Sequence, residues 1–416
     1  MQKMFRIAYT MILSLCALVA NAQFCVSHVP SVHTPQMMLN DEWGVPAVMV
    51  LGSDDVLHFS FDEMSHTYHR YTCRVTHCNA DGSPSDILEL DYLDGFNDFL
   101  VDDWENSHNT TQLYTRYSFS IPNDDAALKL SGNYRVDVYD DEDGDSPVVS
   151  YEFAVVEPLV GITATVSGDT DTSYNNGEQQ LSFVVDYARC NVVSPAEDIK
   201  PVVFQNRRRD NAVMALKPAY MTGMKSEYVH DTKLIFGAGN EYRRFELTDP
   251  DSPGMNVEDV IYHDGAYHAL LYVDAPRYSY SNYRDENGRF FVNTIEGRGS
   301  IMEADYVNVH FALDAPYRSG GNYYLIGDFC GDSFGKENMM VYDEKEGYYF
   351  TSFLLKLGVY NYMYAWVPDN GGEASLLPAE GEFYNTDNEY LIYIYHRAFG
   401  ERYDKLVGFL LVGGME

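Results

Sequence analysis

Tyr117-Ser118-Phe119-Ser120-Ile121 alternates large apolar side chains with serines, and Tyr134-Arg135-Val136-Asp137-Val138 repeats the alternation after a polar loop. Successive side chains of a strand point to opposite faces, so each stretch predicts a strand with one buried face. The loops between such stretches are polar, and they show no catalytic spacing. This part of the chain therefore predicts a shaped β surface.

Strand and turn signals continue along the rest of the chain. The sequence contains 35 tyrosines and 22 phenylalanines, and aromatic residues favour strands. Asp264-Gly265 and Asn287-Gly288 each predict a two-residue hairpin, and Asn176-Gly177 precedes a predicted strand. Residues 210–217 predict a short helix that Pro218 ends. The fold class we expect is all-β.

Breaks between these signals divide the chain into tandem β-sandwich domains. Glu157-Pro158 closes a first sandwich over 23–158, and the segment before residue 301 closes a second domain over 159–300. The remainder, 301–416, predicts a C-terminal immunoglobulin-like sandwich with strands at 323–329, 348–355 and 360–366. That last segment resembles the early-set sandwiches.

Ordered motifs run through nearly the whole chain. They are Tyr71-Thr72-Cys73, His77-Cys78-Asn79, Ser107-His108-Asn109-Thr110, Tyr114-Thr115-Arg116-Tyr117, Ile121-Pro122-Asn123, Ser131-Gly132-Asn133-Tyr134, Gln205-Asn206-Arg207-Arg208-Arg209-Asp210-Asn211, Gly239-Asn240-Glu241-Tyr242-Arg243-Arg244-Phe245, Ala304-Asp305-Tyr306-Val307, Leu355-Lys356-Leu357-Gly358-Val359-Tyr360-Asn361-Tyr362 and Arg402-Tyr403-Asp404. In order and spacing they resemble the plug proteins of the type IX secretion system, a family of Bacteroidetes. The resemblance implies a non-enzymatic periplasmic protein at the inner face of the outer membrane. Its implied partner is the β-barrel translocon of that membrane, whose periplasmic opening it would seal.

The first 22 residues predict a secretory signal peptide. Lys3 and Arg6 form a basic start, residues 12–19 an apolar middle, and Ala20-Asn21-Ala22 a cleavage site after Ala22. No later apolar run reaches the roughly 18 residues that a membrane helix needs. Residues 406–412 are shorter than that and contain a glycine, so they predict a final buried strand. We expect export without direct membrane insertion.

The chain is strongly acidic, with a formal net charge of −35. Removal of Lys3 and Arg6 with the signal peptide makes it more negative still. Nucleic acid is excluded as a partner, because its binding requires cations that neutralise phosphates. A protein partner with a basic or neutral face is favoured. Outside such a complex we expect a monomer.

The six cysteines fall to five once Cys16 leaves with the signal peptide. An odd number does not make a complete disulfide framework. Cys73 and Cys78 lie five positions apart on one predicted strand, so they point to opposite faces and do not bridge each other. A bridge from Cys25 to one of them stays open, and buried free thiols are favoured.

Two motifs invite a chemical interpretation, and neither has the surroundings it needs. Gly331-Asp332-Ser333-Phe334-Gly335 matches a nucleophile elbow, with Asp387 and His396 later in the chain, but a strand rather than a helix is predicted to follow. The acidic run 140–145 lacks the ligand positions of an EF-hand and predicts a solvated turn, although weak cation binding stays open. We predict no catalytic residue, no metal site and no cofactor.

Candidate partner contacts are basic or aromatic residues in an otherwise acidic chain, because arginine and tryptophan are enriched at interfaces. They are Trp104, Arg207, Arg208, Arg209, Arg243 and Arg244, together with Asn109 at the end of the loop that contains Trp104. The arginines have an alternative, which is pairing with neighbouring carboxylates. A glycan-binding module is the alternative function, in which tyrosines substitute for scarce tryptophan.

Overall fold

The computed structural model describes residues 24–142, 144, 146–295, 300–331 and 333–413. The predicted signal peptide, Cys16, Asp143, Asp145, Asp332 and most of the segment before residue 301 lie outside the described residues. Strands are the main regular structure of the described residues and only short helices occur beside them, so the all-β prediction is confirmed. Three hydrophobic cores each lie between two sheets, and we call the corresponding parts the first, middle and third lobes.

The first lobe is a sandwich of two main sheets that encloses the core predicted from the alternating stretches. Its elements are β1 (Phe24–Ser27), β2 (Val32–Leu39), β3 (Val48–Val50), β4 (Leu57–Glu63), β5 (Tyr71–Cys78), α1 (Glu89–Tyr92), β6 (Leu93–Gly95), β7 (Phe99–Val101), β8 (Asp103–Asn106), β9 (Thr115–Ile121), β10 (Ala126–Leu128), β11 (Gly132–Asp140) and β12 (Pro147–Val156). One sheet has the order β1-β12-β11-β5-β7, with β3 also on β12; the other has the order β2-β4-β9-β8. Tyr117 and Ile121 on β9, and Val136 on β11, are buried between them, as predicted.

The middle lobe is assembled from two distant parts of the chain. Its elements are β13 (Gly161–Ser167), β14 (Glu178–Asp186), α2 (Pro195–Asp198), β15 (Ile199–Gln205), β16 (Tyr220–Thr222), β17 (Lys225–Tyr228) and β18 (Ile235–Gly237), joined by two strands from the end of the chain that are described below. The order β13-β14-β17-β16, with β18 on β14, forms one sheet. The helix predicted for 210–217 is wrong: no helix forms there, and Val213 instead bridges Val203 of β15.

The third lobe packs a mixed five-stranded sheet against a four-stranded one. Its elements are β19 (Arg243–Leu247), β20 (Val257–His263), β21 (Ala266–Leu271), β22 (Phe290–Val292), β23 (Tyr306–Leu313), β24 (Gly321–Ile326), β25 (Val341–Asp343), β26 (Tyr348–Lys356), β27 (Gly358–Pro368) and α3 (Leu377–Glu380). The larger sheet has the order β20-β21-β23-β26-β25, and β27 pairs with β19, β22 and β24 in the other. The Asp264-Gly265 hairpin is confirmed between β20 and β21. Asn287-Gly288 forms a turn without a hairpin, because β22 pairs with β27.

After the third lobe the chain returns to the middle one. The strands β28 (Glu389–His396) and β29 (Lys405–Gly413) pair with β15 in the order β15-β28-β29, and the predicted final strand is thus β29. Strand pairing therefore crosses the predicted boundary at residue 300: β15 pairs with β28, and β19 with β27. The predicted strands of the last segment exist as β24, β26 and β27, and its likeness to early-set sandwiches stays a prediction.

Candidate functional site

The described residues assemble no recognisable chemical centre. Within the described ranges, no group of three or more histidine, cysteine, aspartate or glutamate side chains is placed to hold a metal ion. The described part of the segment Gly331–Gly335 lies in turns between β24 and β25, and no helix follows it before β25. A nucleophile elbow needs a strand, a tight turn and a helix, so this segment lacks the required geometry. Of the acidic run, Asp140 ends β11, and the described residues Asp141 and Glu142 lie in the turn that follows it.

Glu389 of β28 joins all three lobes at one buried point. Its carboxylate oxygen Oε1 accepts hydrogen bonds from Arg207 Nε at 2.9 Å and from Arg289 Nη1 of the third lobe at 2.8 Å. Arg207 Nη2 also donates to the carbonyl oxygen of Gly44, in the first lobe, at 2.6 Å. Arg207 adopts a left-handed backbone conformation, with φ +57°, which is uncommon for a residue with a side chain. Arg207, a predicted partner contact, therefore connects lobes of the same chain.

The neighbouring arginines of this motif are also engaged inside the chain. Arg208 forms a two-point ion pair with Asp210, with Nη2 to Oδ2 at 2.5 Å and Nε to Oδ1 at 2.9 Å. Arg209 lies 3.3 Å from a carboxylate oxygen of Glu152, on β12 of the first lobe. These arginines therefore pair with carboxylates of the same chain, which is the alternative given for them in place of partner binding.

Arg243 of β19 is buried in a second ionic network. Its guanidinium group bonds Asp274 at 2.7 Å, and it contacts Glu380 of α3 at 3.1 Å. Arg277 also bonds Glu380, at 2.8 Å. Burial alone would raise the pKa of Glu380, but the two arginines lower it below its ordinary value. Arg244 is partly exposed and bonds Glu246 at 2.6 Å.

A polar seam joins the first lobe to the third. Asn109 donates to Glu303 at 2.7 Å, and the backbone N–H of Thr111 donates to Asp305 at 2.7 Å. Deeper in the same seam, Lys356 of β26 forms an ion pair with Asp62 of β4 at 2.6 Å. Asn109, a predicted partner contact, thus belongs to the contact between lobes.

A second seam joins the first lobe to the middle one. Asp404 accepts hydrogen bonds from Lys200 Nζ at 2.6 Å and from the backbone N–H of Ala80 at 3.1 Å. The hydroxyl group of Tyr395 donates to Asn133 at 2.8 Å. Many motif residues quoted from the sequence therefore serve to hold lobes together. A single sequence gives no signal that separates this role from partner binding.

Trp104 is a predicted contact that lies on the surface. It is 44% exposed on the edge strand β8, and its ring centroid lies 5.3 Å from that of Tyr68. Tyr68 is 54% exposed, so the two rings form an aromatic pair in contact with water.

The structure also reveals an exposed surface that the sequence analysis missed. On the outer side of the five-stranded sheet, Ile261, Leu270, Val341 and Phe350 are exposed around the stacked rings of His268 and His310. The sequence does carry a signal for this surface, because apolar residues occupy both the odd and the even positions of these strands. Reading that signal requires the strand register, which only the structure supplies.

Comparisons with known proteins agree with this fold. The family model "Type 9 secretion system plug protein 1st domain" matches residues 32–157, which is the first lobe with its two main sheets. The crystal structure of a hypothetical protein from Parabacteroides merdae ATCC 43184 is 36% identical, with a TM-score of 0.92, and the alignment covers 95% of this chain and 100% of that one. The chain belongs to the type IX secretion system plug protein family.

Membership of the plug family associates this protein with type IX secretion and with the cell envelope. Dimeric latent PorU from Porphyromonas gingivalis is 11% identical, with a TM-score of 0.15, over 93% of this chain and 34% of that one. Comparison with curated proteins gives no significant match. Among the described residues of this plug family member, no helix is both long and apolar enough to cross a membrane.

Proposed function

We propose that this protein is a non-enzymatic periplasmic plug, which docks on the outer-membrane translocon of type IX secretion and seals its periplasmic opening. Membership of the plug family supports the choice of partner. The fold supports the mode of action, because a plug acts through its bulk and its surface.

The observation that carries the proposal is the junction at Glu389. One carboxylate binds arginines of the middle and third lobes, and Arg207 extends the contact to the first lobe. Ion pairs removed from water are held in one geometry, since breaking them leaves uncompensated buried charge. Three lobes fixed in this way resist deformation, as a body that closes an opening must.

Size and charge fit the same role. A compact chain of 416 residues has a radius of gyration of about 22 Å, so the body is on the order of 50 Å across. Its net charge of −35 favours a basic or neutral docking surface and a contact that can be released. No step of the proposed role requires a bond to be made or broken.

The test is co-purification combined with a permeability measurement. We expect the protein to co-purify with the translocon from wild-type cells. Deletion of its gene should raise the uptake of large antibiotics that the outer membrane normally excludes, and a plasmid copy should reverse the effect. Unchanged uptake in a strain whose translocon is otherwise open would contradict sealing.

The exposed pair Trp104 and Tyr68 favours glycan binding as a second candidate function, because sugars stack on exposed aromatic rings. A glycan array separates the two candidates. Selective binding that is lost in Trp104→Ala would support the glycan-binding module, and an array without hits would remove it.

A further inference from the structure

The outer side of the five-stranded sheet in the third lobe is a continuous surface, which we call the open face. The register of β20, β21, β23, β26 and β25 places the same set of alternating side chains on this side. Its residues are Asp259, Ile261, His268, Leu270, Asn308, His310, Ala312, Val341, Phe350 and Ser352. The opposite side of the sheet is buried in the core of the third lobe.

The open face is more apolar than a solvated sheet surface normally is. When one side of a sheet covers a core, the other side usually carries polar residues. Here Ile261, Leu270 and Phe350 are 43%, 36% and 43% exposed, and Val341 at the sheet edge is 51% exposed. Contiguous exposed apolar residues of this kind mark interaction sites.

One end of this sheet side is already an interface. Tyr306 of β23 and Lys356 of β26 project from the same side, and the first lobe covers both through Asp62. Met302 and Tyr114 complete a small buried apolar cluster there. Further along the strands the cover ends, and the open face begins at Asn308. The open face therefore adjoins the existing contact between the first and third lobes.

The charges around the open face restrict what can cover it. Asp259 and Asp343 lie on the outer strands, and Glu344 lies in the turn between β25 and β26. Lys345 in that turn is paired with Glu346 at 3.3 Å. A second copy of the chain would place two acidic borders against each other, and an anionic membrane surface would be repelled as well. The complementary partner is an apolar protein surface with lysine or arginine side chains at its border.

We propose that the open face is the docking surface of this protein, and that its occupant is an apolar patch with a basic border at the periplasmic opening of the translocon. This inference rests on the proposed function and adds to it the face that makes contact. Five strands about 4.8 Å apart, each uncovered along a length of about five residues of which alternate side chains face outward, give roughly 350–400 Å². That area is about half of what one partner contributes to a standard interface, so adjoining loops complete the contact.

The test uses the purified full-length protein and detergent-solubilised translocon from a strain that lacks the gene. The variant Ile261→Glu/Phe350→Glu places negative charge on two exposed positions of the open face. The matched control is Phe96→Glu, an exposed apolar residue of the first lobe. Circular dichroism and thermal unfolding verify that both variants fold. We expect the double variant to bind at least tenfold more weakly than wild type, and Phe96→Glu to bind within twofold of it.

Each result decides between the two proposals. If wild type does not bind the translocon, the proposed function fails, and this inference fails with it. If wild type binds and the double variant binds equally well, or if Phe96→Glu is the variant that loses binding, the open face is not the docking surface while the proposed function stands. Light scattering of wild type completes the test: a dimer that the double variant dissociates would assign the open face to a second copy and overturn the inference.

Discussion

The ammonium group of Lys356 lies 2.6 Å from a carboxylate oxygen of Asp62, although the two residues are 294 positions apart in the chain. Both side chains are fully buried, and Lys356 Nζ also lies 3.9 Å from the ring centroid of Tyr114. The hydroxyl group of Tyr306 donates to the same carboxylate at 2.7 Å. The contact between the first and third lobes is therefore centred on a desolvated charge pair.

Removal of one partner of this pair should destabilise the protein. Lys356→Met leaves Asp62 buried with reduced compensation, and we expect a loss of about 3 kcal/mol in the free energy of unfolding. Urea denaturation measures it, with Lys345→Met in an exposed turn as the control. A loss below about 1 kcal/mol would show that the pair does not hold the lobes together.

Glu389→Gln tests the junction of the three lobes. The amide cannot balance the charges of Arg207 and Arg289, so we expect the lobes to separate more easily. Limited proteolysis should cut between lobes at least several times faster than in wild type. Glu246→Gln, which affects only the partly exposed Arg244, serves as the control and should be cut at the wild-type rate.

Stability should depend on pH through Asp285. Burial raises its pKa from 3.8 to about 7, although a hydrogen bond from the backbone N–H of Asn287 acts in the opposite direction and lowers it. Since the folded-state pKa lies above the unfolded one, the stabilisation by the protonated form is complete below about pH 4 and is lost as the pH rises through 7. The difference in unfolding free energy between wild type and Asp285→Asn should therefore change between pH 5 and pH 8. A difference that is constant over this range would contradict the raised pKa.

Docking through the open face should weaken in acid. His268 Nδ1 and His310 Nε2 lie 3.0 Å apart, and burial, followed by the neighbouring His268, lowers the pKa of His310. Since this pKa lies below its ordinary value of 6.5, the His310 ring is neutral at pH 7, and its protonation in acid adds positive charge opposite a basic partner. We expect several-fold weaker translocon binding at pH 5.

A matched pair of variants identifies the source of this acid effect. Replacement of both rings, His268→Gln/His310→Gln, should remove most of the pH dependence. Glu258, Asp259 and His263 on β20, Asp343 on β25 and Lys356 on β26 are other charged or titratable groups of this sheet, and His263→Gln should retain the pH dependence.

The thiols of the folded protein should resist alkylation. Cys25, Cys73, Cys78 and Cys190 are free thiols, the arrangement favoured from the sequence, and burial raises the pKa of Cys78 to about 12 and that of Cys73 well above its ordinary value. Because the thiolate is the reactive form, iodoacetamide at pH 8 should leave Cys73 and Cys78 unlabelled until urea is added. Mass spectrometry that finds either residue labelled in the native protein, or joined in a disulfide, would contradict this arrangement.

Local features of the sequence predicted local structure well. The alternation around Phe119 and the Asp264-Gly265 turn each depend on neighbours in the chain, and both are confirmed. Long-range strand pairing was harder to predict from the sequence. Strand β15 pairs with β28 across nearly 190 positions, so the boundary predicted at residue 300 separates two strands of one sheet. The Asn287-Gly288 turn forms without its hairpin for the same reason.

The site residues were predicted least well, for a physical reason. Arginine is suited both to interfaces and to buried ion pairs, and composition does not separate the two. Arg207 and Arg243 each find carboxylates that are more than 100 positions away, Glu389 and Glu380. The open face was missed because its apolar residues come from separate strands, and only their register brings them together.

The return of β28 and β29 to the middle lobe sets the order in which this chain can mature. The strands β28 and β29 supply part of that lobe's buried core, so a polypeptide that lacks them leaves β15 without its partner strands. If the protein crosses the inner membrane as an unfolded chain, the middle lobe can fold only after β28 and β29 have crossed. A variant that ends before β28 would have an uncovered core in the middle lobe and would be a substrate for proteases.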